Sequence, residues 1–483
     1  MLDLIIVLVA LGLLIYFAFK GITLIILGPA AALLAAVATG DLPVLGAFTQ
    51  IFMTNTGSFI VSFFPLFLLG AIFGKLMDDS GAAKALAEAV SERLGPERAI
   101  VSVVLCAGAL TYGGVSAFVV AFAIFPVAAA LFRTADIPKR LIPGALSLGA
   151  FTFTMSALPG SPAIQNAIPM PFFGTTSFAA PGLGIVAAAV MFGLGILWLN
   201  RRAATARAAG EGYGAHEDSL PAPERGLREC AQGGGFDIRE LEDHPEAVGQ
   251  PSAFIALLPI VLVIVTNFAF TAFVIPAMDT GFLAEPRFGA TSIEAVRGVW
   301  SVIVALFVAI LVLIATNWGR LTDLRTSLDG GANASVLPIF NTASLVGFGA
   351  VIAALPVFAM ISEAILDVTG GNPLLSVAAS VTTLSAMTGS ASGGMSIALE
   401  ALAPTLVEMA RASGVSLEAM HRVTALASGT LDVLPHSGAV ITLLAVCKLS
   451  HRESYGDIFM VCCVAPMVAL LVVLGLASVV GSF

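Results

Sequence analysis

The hexamers Leu158-Pro159-Gly160-Ser161-Pro162-Ala163 and Leu434-Pro435-His436-Ser437-Gly438-Ala439 agree at Leu, Pro, Ser and Ala. Each breaks an apolar run, 138–168 in one case and 416–447 in the other. Just ahead of each lies a second interrupted run. The stretch 99–133 is too long for one bilayer crossing and is cut by Thr111-Tyr112-Gly113-Gly114; the stretch 373–409 is cut by Met387-Thr388-Gly389-Ser390-Ala391-Ser392-Gly393-Gly394. Small residues at the middle of such a run predict a hairpin that enters the membrane and returns to the same side. A third pair, Asn55-Thr56-Gly57-Ser58 and Asn341-Thr342-Ala343-Ser344, opens an apolar run ahead of each hairpin. Matches that recur in the same order around the same kind of element read as an internal repeat.

The other apolar segments are 4–19, 22–39, 57–77 and 181–199 in the first half, and 252–275, 296–316, 336–366 and 457–481 in the second. About 20 apolar residues in a helix cross the ~30 Å hydrocarbon core. The chain is 58% hydrophobic and 11% charged, with a mean hydropathy of +0.99, whereas a soluble domain is roughly 25% charged. That composition excludes an ordinary soluble protein, a disordered chain and a nucleic-acid binder. Continuous runs, instead of alternation with period two, exclude a β-barrel. The expected fold is an all-α polytopic membrane protein of two inverted repeats, residues 1–200 and 251–483. Each holds five transmembrane segments, one of them broken, and one re-entrant hairpin.

Of the formal net charge of −9, a share of −6 sits in 203–250, where ten acidic residues accompany four arginines. The acidity therefore describes a polar cytoplasmic loop, 201–250, and not a substrate. Residues 82–95 read as an amphipathic helix on the membrane surface. The five cysteines (Cys106, Cys230, Cys447, Cys462, Cys463) show no CxxC spacing and read as packing thiols. No cleavable leader is evident, since Asp3 stands where a basic residue would and Lys20 follows the first run. An odd number of crossings makes the second copy enter from the opposite face. With both termini outside, eighteen of the 22 Lys and Arg residues fall inside; Arg287, Arg297, Arg411 and Arg422 fall outside. This is the bias expected of a bacterial cytoplasmic membrane protein, and it collapses if either hairpin is counted as two crossings.

A helix broken within the bilayer exposes backbone groups, tolerable only against protein or a water-filled cavity. Ser161, with Pro162 at the first helical position, is placed to cap the helix restarting after the first break, and Ser437 the second. The returning hairpin arms start near Val115-Ser116 and Met395-Ser396. Four helix starts thus converge, each offering N–H donors and partial positive charge to a carboxylate. No Lys or Arg falls within the four broken elements near the proposed midplane, which favours a singly charged anion. The plainer reading is four kinks relieved by neighbouring helices, but a paired pattern of four favours a site. Substrate candidates are Thr111, Tyr112, Gly113, Gly114, Ser116, Ser156, Gly160, Ser161, Gln165 and Asn166 in the first half. The second half offers Thr388, Gly389, Ser390, Ser392, Gly393, Thr430, His436 and Ser437. Asp432 and His436 have no counterpart at the matching positions Ser156 and Gly160. An ionisable group at membrane depth is a functional candidate, so either could carry a coupling proton. Glu363 and Asp367 read as interfacial, and Glu400 as a weaker candidate. Asn55-Thr56 and Asn341-Thr342 could face the site or cap helices. No metal or cofactor is called for, and neither HExxH nor GxSxG occurs, so an intramembrane enzyme is disfavoured.

The paired hairpins, the LPGSPA and LPHSGA breaks and the hairpin tip Ala109-Leu110-Thr111-Tyr112-Gly113-Gly114-Val115-Ser116-Ala117 resemble the gluconate:proton symporter (GntP) family of the ion transporter superfamily. The resemblance covers 1–200 and 251–483. It implies proton-coupled uptake of a small hydroxy- or amino-monocarboxylate, such as gluconate or another sugar acid, glycerate or 3-hydroxybutyrate. It also implies a homodimer working as an elevator. The tips lack the Ser-Asn-Thr motifs of sodium-coupled dicarboxylate relatives, so sodium coupling or uniport is the secondary expectation.

Overall fold

The computed structural model describes residues 2–20, 22–216, 249–358, 360 and 369–483; Glu363, Asp367 and most of the polar loop lie outside them. The described residues form helices and turns without a strand. The first half runs α1 (Leu2–Phe19), α2 (Leu24–Thr39), α3 (Val44–Asp79), α4 (Ala82–Leu94), α5 (Ala99–Tyr112), α6 (Ala117–Thr134), α7 (Ile142–Ala150) and α8 (Pro181–Ala208). Short turns at Phe153–Ser156, Ile164–Ala167 and Pro169–Phe173 join α7 to α8. The second half runs α9 (Ala253–Ala277), α10 (Ile293–Asn317), α11 (Leu324–Ala353), α12 (Pro373–Thr388), α13 (Ala391–Ser413), α14 (Leu417–Ser428), α15 (Gly438–Val446) and α16 (His451–Val479). Among the described residues six helices (α3, α8, α9, α10, α11 and α16) are long and apolar enough to cross a bilayer, and the bent pair α4–α5, turned by 107°, would make seven. The protein is a polytopic α-helical membrane protein.

Corresponding elements of the two halves make corresponding contacts. α1 packs on α2 as α9 packs on α10. α2 then lies against α11 of the other half, and α10 against α3. α3 and α11 pack against each other, and α8 pairs with α16. Small residues set these approaches, as they do wherever lipid removes the hydrophobic drive between helices. A Cβ on Gly331 of α11 would lie 2.7 Å from Ile72 Cα of α3, and one on Gly28 of α2 would collide with Ser344. Ser344 Oγ instead donates to Leu24 O (2.8 Å).

Each interrupted run forms two helices, α5–α6 and α12–α13, with the two arms of each in contact. α4 buries Ala82, Ala83, Ala85, Leu86 and Ala87 and packs on α5, α6 and α9. The apolar run at 57–77 is also longer as a helix. Asn55-Thr56 and Asn341-Thr342 lie inside α3 and α11 and do not start them. In the second hairpin the arms touch at Gly394, where any Cβ would enter the backbone of Ser385 and Leu384. Gly394→Ala should therefore destabilise the protein by about 2 kcal/mol, the cost of overpacking a rigid contact. A thermal melt in detergent that matches wild type would refute this.

α8 continues eight residues into the polar stretch, and the chain after it folds back onto the foot of the first hairpin. Arg140 donates from Nε and Nη2 to Glu211 (2.7 and 2.9 Å). Tyr213 N donates to Asp136 Oδ1 (2.9 Å), and the Arg133 guanidinium lies 5.3 Å from the Tyr213 ring centre. Buried Asp457 of α16 accepts from Arg140, Arg202 and Trp198. Loop deletions that spare function must therefore begin after residue 216. The Arg140 hydrogen bonds hold the Glu211 carboxyl below its ordinary value of 4.5. A depressed carboxyl stabilises fully above that ordinary value, and the contribution fades as pH falls through the depressed one. The melting difference between wild type and Glu211→Gln should hold constant from neutrality to about pH 5 and close below it.

Candidate functional site

All four interruptions border one cavity of about 320 Å³, at the small end of ligand pockets, roughly 300–1,000 Å³. The first hairpin contributes Thr111, Gly114 and Ser116, and the first break Pro162, Ala163 and Gln165. The second hairpin contributes Thr388, Gly389, Ser390 and Ser392, and the second break Asp432, His436 and Ser437. The remaining wall comes from α1 (Ile15, Ala18), from the first residue of α2 (Leu24), from α3 (Leu66, Phe67, Gly70), from Phe151 and Met155 ahead of the first break, and from α11 (Ser335, Asn341, Thr342).

Three helices begin at this wall. Ser116, Ser390 and Ser437 are the N-cap residues of α6, α13 and α15. Ser390 Oγ accepts from Gly393 N (3.2 Å) and caps α13. Ser116 and Ser437 make no such bond with their side chains. The first-turn N–H groups of α6 and α15 therefore remain as donors at the cavity edge. The returning arm of the second hairpin thus starts at Ala391, with Met395 and Ser396 already buried inside the helix. Ser161 does not cap as expected. The chain re-enters helix at Ile164 after Ala163, and Ser161 Oγ accepts from Ala163 N (3.3 Å) within the preceding turn. Ser437 Oγ is also diverted, donating to Gly389 O (3.0 Å) at the hairpin tip. The first half mirrors this tie, with Tyr112 Oη donating to Pro159 O (2.6 Å). Each tip is thus fastened to its neighbouring break.

Among the described residues of the lining, Thr111 Oγ1, Gln165 Oε1 and Asp432 Oδ1 are buried polar atoms without a hydrogen-bond partner. Unmet acceptors and donors in a buried wall are unfavourable unless something else satisfies them. His436 lies against Gly389 and bonds to the backbone of Ala386 and Met387 at the end of α12. Asn341 combines its two expected roles, since it lines the cavity while its Oδ1 accepts from Thr23 Oγ1 (2.9 Å) and Ile25 N (3.2 Å) at the start of α2.

Eight expected residues lie off the lining. Gly113 packs on Ile260 of α9, and Gly393 on Leu345. Gly160 N donates to Ser177 O (2.9 Å). Ser156 Oγ donates to Thr152 O (3.2 Å), and Thr430 Oγ1 to Ala427 O (2.7 Å). Asn166 Nδ2 donates to Ser161 O and Ser177 O (both 2.9 Å). Tyr112 and Ser161 serve the ties described above. Glu400 lies in α13, away from the cavity. Two features escaped the sequence reading. Ser335, Pro338 and Thr342 share a face of α11 at helical spacing, a signal present in the pattern. Arg422 was counted among exterior loop residues, and the structure corrects this. It lies fully buried in α14, bonded to Ser156 O, Ala179 O, Ser177 O and Asn166 Oδ1. The site is therefore built beside a buried arginine, although Arg422 itself does not line the cavity.

No family model matches the chain. It is similar in fold to the crystal structure of the YdaH transporter of Alcanivorax borkumensis, with a TM-score of 0.51 at 17% identity over 89% of this chain and 88% of that one. It is 43% identical to the uncharacterized transporter YxjC of Bacillus subtilis (strain 168) over 463 residues, 95% of each chain. The chain therefore belongs to the membrane transporter family that includes YxjC.

Proposed function

We propose that this transporter is a secondary active symporter that takes up a small hydroxy-monocarboxylate with a proton, of the gluconate, glycerate or 3-hydroxybutyrate class. The observation that carries this reading is a small cavity walled by both hairpin tips and both breaks. Helix N-termini at its edge supply donors for a carboxylate. Thr111 and Gln165 present unmet polar atoms suited to a hydroxyl, and Asp432 presents one suited to a proton. The resemblance to the gluconate:proton symporter family supports the same chemistry. The excess of Lys and Arg on one side supports an orientation with both termini outside a bacterial cytoplasmic membrane. Two inverted repeats, an elevator-like displacement and a homodimer complete the reading. A thermal-shift panel of sugar acids, short hydroxy acids and amino acids on purified protein selects the substrate. Uptake of it into proteoliposomes under an imposed pH gradient then tests the coupling. Accumulation driven by a sodium gradient alone would replace the proton with sodium, and no gradient dependence would make the protein a uniporter.

A further inference from the structure

Arg422 links the two halves at the edge of the site. Its Nε and Nη2 donate to Ala179 O (3.1 and 2.8 Å), its Nη1 to Ser156 O (3.1 Å) and Asn166 Oδ1 (3.2 Å), and its Nη2 also reaches Ser177 O (3.4 Å). Next to it, His421 Nδ1 meets Thr175 Oγ1 (2.6 Å) and Nε2 meets Asn166 Oδ1 (3.2 Å). The guanidinium and the imidazole belong to the second half, and every one of these partners belongs to the first. Among the described residues no carboxylate pairs with Arg422. A buried guanidinium without a counter-charge persists only where carbonyl dipoles converge on it, and its removal orphans several buried acceptors at once. These acceptors flank the first break on both sides, at Ser156 before it and at Asn166, Ser177 and Ala179 after it.

We propose that Arg422 is a positioning residue that rivets the first break to α14, so that the two breaks bounding the cavity are displaced together as one rigid unit during transport. This rests on the transporter reading above. Ser156 and Gly429 face each other across the junction, both off the cavity lining. A Cβ on Gly429 would lie 3.7 Å from Ser156 Cβ, the separation found in disulfides, about 3.8 Å. The pair Ser156→Cys/Gly429→Cys, in a chain whose native cysteines are replaced, can therefore be oxidised and assayed in proteoliposomes. Uptake of the acid selected by the panel should be unchanged by oxidation. A block that reductant relieves would overturn the proposal, because the breaks would then move against each other. Arg422→Gln should raise KM and slow uptake about tenfold through the lost charge-assisted bonds, and oxidation of the cysteine pair in that variant should restore both. Wild-type kinetics, or no rescue by the cross-link, would overturn it equally. Amide hydrogen exchange across 156–163 and 174–180 gives a readout without substrate: Arg422→Gln should lose about tenfold in protection and regain it on oxidation, and unchanged protection refutes the rivet. Should Arg422→Gln fail to fold, the cross-link in the Arg422 chain decides. Should the intact protein take up none of the acids, the functional reading falls and hydrogen exchange still decides the role of Arg422.

Discussion

Asp432→Asn is expected to abolish proton-driven accumulation while leaving exchange of internal for external substrate close to wild type. Asparagine keeps the shape of the side chain and removes only its ability to take up and release a proton. The geometry makes the effect large. Asp432 faces the cavity from the second break with Oδ1 buried and without a partner, which leaves that oxygen open to the substrate or to a proton. The matching first-half position is Ser156, which cannot take its place. One pH unit across the membrane can drive about tenfold accumulation of a singly coupled solute, since 1.4 kcal/mol corresponds to a factor of ten. In the variant that ratio should fall to equilibration. Counterflow needs no proton to leave the site, so it should persist. Accumulation equal to wild type would remove Asp432 from coupling and turn attention to His436.

Gly389→Ala is expected to raise KM by about 10- to 100-fold, combining left-handed strain of roughly 1–2 kcal/mol with a steric clash. Gly389 closes the second hairpin at φ +61° and lines the cavity. A Cβ there would lie 2.9 Å from His436 Cδ2 and 3.3 Å from Ser437 Cα. The carbonyl that accepts the Ser437 hydroxyl belongs to the same residue, so the alanine pushes apart the elements that this bond joins. Gly414→Ala is the control. It also sits at positive φ (+71°), in the turn before α14, with nothing within 4 Å of the added carbon. It should lower the melting temperature through strain alone and keep the wild-type KM. Equal KM effects in the two variants would show that strain, and not the approach of tip to break, sets affinity.

The interruptions were readable because glycine and proline are punctuation in an apolar helix, and four of them fell in matching order. The direction each side chain takes from those interruptions was not. Gln165 and Asn166 are neighbours of similar chemistry, yet one lines the cavity while the other is fully buried among Ser161, Ser177, His421 and Arg422. Irregular backbone has no period from which to infer a facing side, so both were equally plausible ligands. The same limit misplaced Ser161, whose sequence context fits a cap and whose turn closes two residues too early. Arg422 was misread for another reason. A linear count gives a basic residue at the edge of an apolar run to water. Only the folded neighbours reveal a nest of carbonyls able to hold it. Gly113 and Gly393 looked like points of substrate approach, and instead they admit Ile260 and Leu345.

The location of those carbonyls has a consequence for biosynthesis. A ribosome delivers residues 156–179 long before residue 422. The segment whose oxygen atoms receive the guanidinium is therefore already synthesised when the cation reaches the translocon. A guanidinium entering bare lipid would meet a penalty of at least about 2.5–3.5 kcal/mol; one entering beside a waiting acceptor cluster does not. Swapping the order of the two halves in the gene would reverse that sequence of arrival, and the yield of inserted protein would report on it.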